Sequence, residues 1–193
     1  MFPIQKHSLD GLGRGMGIHD FVNDFIAVCD NHTANGRAKS FAFIFYNLHN
    51  SAIRKAINAS PGFHRLDDLT GNNLTLFYMH NDAADAYNQS FNETFLKALN
   101  VEEQTTLPCM VVFRTYGDVI EDIMIFSVDP NCWDPTLIVA ELEDYLKSAM
   151  DVYSEQGDIS ALIALIGGIK AAGKLIGVNE FLKKLVTSSG LPF

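Results

Sequence analysis

The sequence is poor in cysteine, in basic residues and in long apolar runs, and each shortage removes a class of protein. Three cysteines among 193 residues build no disulfide framework and suit a reducing compartment. Fourteen Lys and Arg against 23 Asp and Glu leave a net charge of −9, which excludes long-range attraction to nucleic acid. No window supplies the roughly 18 uninterrupted apolar residues of a membrane-spanning helix. The nearest, Ile159 to Val178, is broken by Ser160, Lys170 and Lys174. Met1 to Gly13 contains no apolar stretch of signal-peptide length, so a cytoplasmic chain is expected. There is one Trp, and the 14 Phe are not interleaved with basic residues as a strand-binding platform requires.

What is present is the composition of a folded chain. Hydrophobic residues make up 48% and charged residues 19%, enough for one core without staples of sulfur or metal. Gly11, Gly13, Gly15 and Gly17 alternate, but Met16 and Ile18 stand where a dinucleotide loop needs its third glycine. An N-terminal arm is the better account. Ile18, Phe21, Val22, Phe25, Ile26 and Cys29 then recur at helical spacing and predict one apolar helix face.

From residue 40 the pattern alternates between strand-length and helix-length segments. Ser40 to Tyr46 is a solid apolar and aromatic run, the mark of a strand buried on both faces. Asn50 to Ala59 predicts a helix that Ser60-Pro61-Gly62 ends, with a polar stretch following. Leu74 to His80 is a second buried strand, and Ser90 to Leu99 a helix with Phe91, Phe95, Leu96 and Leu99 on one face. Met110 to Thr115 and Val119 to Val128 are separated only by Tyr116-Gly117-Asp118, so they form an antiparallel hairpin. Asp134-Pro135 opens a helix whose core face is Leu137, Ile138, Leu142, Tyr145 and Leu146. The lone Trp133, in the turn before it, is expected to pack against that helix.

The order β-α-β-α-β-β-α over 40–149 implies a mixed α/β sheet covered on both faces. With Thr105-Thr106-Leu107-Pro108-Cys109-Met110 it resembles the thioredoxin-like superfamily, which places a cis-proline before the first hairpin strand. The resemblance divides the chain into an arm and helix (1–39), a thioredoxin-like domain (40–149) and a helical extension packed on it (150–193). It also implies a groove for extended peptides beside Leu107 and Pro108. The chain departs from the family at the catalytic motif. Where active members carry Cys-x-x-Cys, Asn47-Leu48-His49-Asn50-Ser51 stands, and no cysteine lies between Cys29 and Cys109. A redox-inactive relative without a cofactor follows, acting through an unidentified protein partner.

Two alternative sites arise from the same order. Adjacent parallel strands would bring His49, His80, Asp82 and Cys109 to one sheet edge, where ligands of open α/β sheets bind. Cys109 with His49 would serve a thiol enzyme, and the His, Asp and Cys set a metal, although no ligand spacing supports one. The common outcome for such residues is a buried, inert cysteine and surface polars. At the C-terminus, 159–193 carries four lysines against one glutamate, a local +3 that leaves −12 on the rest. Leu162, Leu165, Ile166, Ile169, Ala172, Gly173 and Ile176 line one helical face with Lys170 and Lys174 on its flank, and Asn179 caps a second helix of Phe181, Leu182, Leu185 and Val186. Such a basic amphipathic helix can meet a membrane or a partner, or pair with itself in a two-fold dimer. Most stripes of this kind are core.

Overall fold

The computed structural model describes residues 2–4, 39–47, 49–58, 60–69, 74–79, 85–154, 168–171 and 175–188, together with helical positions 26, 27, 30, 31 and 34. Among the described residues the strands are β1 (Phe2–Ile4), β2 (Lys39–Phe45), β3 (Leu74–Met79), β4 (Cys109–Tyr116), β5 (Val119–Ser127), β6 (Ile169–Lys170) and β7 (Ile176–Gly177). The helices are α1 (Ser51–Asn58), α2 (Ser60–Leu69), α3 (Asp85–Ala98), α4 (Pro135–Ser154) and α5 (Val178–Ser188). All seven strands belong to one open mixed sheet in the order β1-β3-β2-β4-β5-β6, with β7 also on β5. None of the described helices is long and apolar enough to cross a membrane.

The apolar run of β2 occupies the centre, parallel to β3 and antiparallel to β4. Side chains alternate across a strand, so Phe41, Phe43 and Phe45 share one face and Ala42 and Ile44 the other. All five are buried. On the phenylalanine face the Phe43 ring lies 4.9 Å from Phe77 of β3, 4.3 Å from Phe95 of α3 and 5.7 Å from Phe113 of β4. Phe181 of α5 meets Phe95 edge-on at 5.1 Å and Phe113 at 6.2 Å. On the opposite face Phe126 of β5 stacks on Tyr145 of α4 at 4.8 Å, and α4 packs against α1 and α2.

The β4–β5 hairpin turns at Gly117, whose φ of 59° is costly for a residue with a Cβ. Farther along, Val112 pairs with Met124 but Arg114 with Glu121, so β5 carries one extra residue. That bulge places Asp122 at φ 49°. Arg114 Nη2 holds the Asp122 carboxylate at 2.6 Å, Lys170 Nζ approaches it at 3.4 Å, and the Tyr153 hydroxyl donates to the Asp122 carbonyl at 2.9 Å. Strands β6 and β7 cover the outer edge of β5 on either side of the bulge, which blunts an otherwise open template for aggregation.

Several expectations are corrected here. Pro61 does not end the helical region: it stands in the first turn of α2, where its missing N–H removes no helix bond. The predicted strand and helix boundaries for 40–149 otherwise hold to within a few residues. The N-terminal arm contributes a strand, β1, parallel to β3. Ile26 is 36% exposed, and the remaining members of that predicted helix face lie outside the described residues. Leu137 is also exposed, so it leaves the core face that Ile138, Leu142 and Leu146 form. The helical stripe of the C-terminal segment fails at Ile169, Lys170 and Ile176, which are strand residues because the edge of β5 offers them hydrogen-bond partners. Leu162, Leu165, Ile166, Ala172, Gly173 and Lys174 lie outside the described residues. Helix α5 buries Phe181, Leu182 and Leu185 as expected, with Asn179 inside its first turn rather than capping it.

Gly62 shows how closely α2 approaches its neighbours. A Cβ there would sit 2.2 Å from the Ala56 carbonyl oxygen and 2.7 Å from Val139 Cγ2. Gly62→Ala is therefore expected to destabilise the fold by about 1–3 kcal/mol through overpacking, read as a lower urea midpoint at unchanged m-value. An unchanged midpoint would contradict this packing.

Candidate functional site

The end of β2 and the start of β4 lie side by side, since Phe45 pairs with Cys109. After β2 the chain turns tightly: Asn50 N–H donates to the Asn47 carbonyl at 2.9 Å, and Asn50 Oδ1 accepts from Ile53 N–H at 3.2 Å. Asn50 thus caps α1, satisfying one of the amide donors a helix start leaves open. The turn leaves Asn47, His49 and Ser51 exposed around a buried Tyr46. Asn92 of α3 donates to the Tyr46 carbonyl at 3.1 Å, tying that helix to the same turn.

Opposite the turn the Leu107–Pro108 peptide is cis. Pro108 is buried, and its carbonyl accepts from Val128 N–H at 3.0 Å, while Leu107 is half-buried. Neither the N–H nor the C=O of Leu107 enters a main-chain hydrogen bond among the described residues. Between turn and proline lies a cleft of about 570 Å³, lined by Asn47, His49 and Leu107 and, from α3 and the segment after it, by Gln89, Glu93, Leu96, Lys97, Glu102 and Thr105. The Gln89 amide donates to Glu93 Oε1 at 2.8 Å. Charges of both signs therefore surround an apolar floor of Leu96 and Leu107.

The structure brings His49, Leu107 and Pro108 together but not Cys109 with His49. Cys109 points into the aromatic layer, is fully buried, and burial pushes its thiol from 9.0 up to about 12. No thiolate is available there at neutral pH, which argues against a nucleophile at this position. His80 and Asp82 lie outside the described residues. Among the described residues no group of three or more His, Cys, Asp and Glu is placed to hold a metal ion. Ile169 and Lys170 sit instead at the β5 edge, with Lys170 engaged by Asp122.

The contribution of α3 to the cleft was not anticipated. Its signal is a row at i, i+4 and i+8, Gln89, Glu93 and Lys97, on the flank away from Phe95. Helical spacing alone shows that row to be polar, not that it borders Leu107. No family model, no curated protein and no solved structure matches this chain.

Burial also raises Tyr78, with the Asp67 charge adding to it, from 10.0 to about 12. Both groups titrate higher in the folded than in the unfolded chain, so their contribution to stability is complete below pH about 9 and is lost as pH rises toward 12. Thermal midpoints are expected to fall steadily across that window. In the folded protein at pH 8, Cys109 should react with a thiol reagent far more slowly than the half-exposed Cys132, and fast modification of Cys109 would contradict its placement.

Proposed function

We propose that this chain is a redox-inactive, thioredoxin-like protein that works by non-catalytic interaction, taking an extended polypeptide segment beside Leu107. The observation that carries this reading is the open cleft against a main chain at Leu107 whose N–H and C=O have no main-chain partner. An extended ligand pairs with such groups as an added strand would, and flanking pockets select its side chains. The adjacent parallel strands β2 and β3, the β4–β5 hairpin and the cis bond before β4 all accord with the superfamily. The turn that would carry its dithiol holds Asn47, His49 and Asn50 instead. Leu96 and Leu107 favour an apolar side chain in the ligand, while Glu93, Lys97 and Glu102 at the rim set its polar neighbours.

A library of linear peptides displayed on phage and panned against the protein tests this directly. Enriched peptides are expected to bind the parent chain and to lose about tenfold or more in affinity when Leu107→Arg fills the cleft. Peptides that bind Leu107→Arg equally well, or a library that yields no enrichment, would overturn the reading. Insulin reduction by dithiothreitol should run no faster with the protein than without it.

A further inference from the structure

Helix α4 begins with two large apolar side chains in solvent. Trp133, the only tryptophan, is 84% exposed, and Leu137, four residues later, is 61% exposed. The turn before the helix causes this. Asn131 N–H donates to Asp129 Oδ1 at 2.9 Å, Cys132 N–H to the Asp129 carbonyl at 3.2 Å, and Asp134 Oδ1 caps α4 by accepting from Thr136 N–H at 2.8 Å. With the backbone held on both sides, Trp133 is directed outward instead of folding onto its own helix. An exposed tryptophan on a fixed backbone loses little conformational entropy when covered, which makes it an effective anchor.

The charge around the pair is of one sign. From Thr115 to Leu146 there are eight acidic residues and no Lys or Arg. Glu121 and Asp122 are taken by Arg114, and Glu143 by Arg65. Among the described residues no ion pair engages Asp129, Asp134, Glu141 or Asp144. Leu137, Glu141 and Asp144 follow at i, i+4 and i+7 on one side of α4, so an acidic stripe continues the apolar pair along the helix. Glu141 is also held in place by the Tyr145 hydroxyl, which donates to it at 2.6 Å.

We infer that this face docks a basic amphipathic helix of a partner protein, with apolar residues against Trp133 and Leu137 and Lys or Arg against Glu141 and Asp144. A second copy of the chain placed symmetrically would set this acidic stripe against itself. An anionic membrane surface would be repelled in the same way. A basic helix covers the apolar pair, adds a cation near the indole face and neutralises the stripe.

Because Trp133 is the only tryptophan, its emission reports the face without a label. The probe is a synthetic peptide of leucine and lysine in helical period, with a counterpart carrying glutamate in place of lysine. The lysine peptide is expected to shift Trp133 emission to the blue, saturably and less strongly as salt is raised, and the glutamate peptide to leave it unchanged. The triple substitution Asp129→Asn, Glu141→Gln and Asp144→Asn spares the cap at Asp134. It should weaken the lysine peptide about tenfold at an unchanged circular dichroism spectrum. Leu137→Ser should weaken it as well. Absence of a shift, an equal response to the glutamate peptide, or unchanged affinity in the triple variant overturns the inference. A blue shift that grows with protein concentration alone also overturns it, by assigning the face to self-association.

Discussion

The aromatic layer around Phe43 is the constraint on which the rest of the molecule depends. Its ring meets Phe77, Phe95 and Phe113, and Phe181 closes the cluster from α5. These contacts join β2, β3, β4, α3 and α5, so one layer sets the pairing of the central strands and the seat of two helices. Aromatic pairs add about 0.5–1.5 kcal/mol beyond the area they bury, and the register of a strand buried on both faces cannot slip by one residue without exchanging its faces. The rigidity of the sheet end near Phe45 and Cys109 follows from that packing.

The cleft is a consequence of the same register. Pairing Phe45 with Cys109 sets the turn after β2 beside the residues before β4. The Asn50 cap then directs α1 away from the turn, and the Asn92 bond to Tyr46 holds α3 along its other side. The cysteine nearest the cleft is spent on packing: its side chain faces the aromatic layer while the chain just before it faces solvent. A binding groove without a nucleophile is what this geometry provides, in keeping with an interaction role.

Much of the architecture was legible in the residues. The solid run Phe41–Tyr46 announced a central strand because only a strand covered on both sides can hide it. The short Gly117 turn required an antiparallel hairpin, and Asp134-Pro135 marked a helix start. Pro61 was misleading, since proline stops a helix in its interior and starts one in its first turn, and the sequence does not say which side of a boundary it occupies. Ile169, Lys170 and Ile176 misled for a different reason. Spacing suggested a helix, but an exposed edge of β5 supplied hydrogen bonds that no local pattern records. Trp133 looked like a packing residue until the Asp129 and Asp134 turns directed it outward.

The sequence by itself determined the mixed α/β class, the central strand, the hairpin and the lack of a dithiol, because hydrophobic period, turn chemistry and residue identity are local properties. Tertiary structure alone decided that Cys109 is inert, that α3 rather than His80 or Asp82 supplies the described wall of the cleft, and that the segment ending in α5 begins as strands on the sheet edge. Those outcomes depend on which surfaces meet, and burial, register and the partner available at a strand edge exist only after the chain has folded.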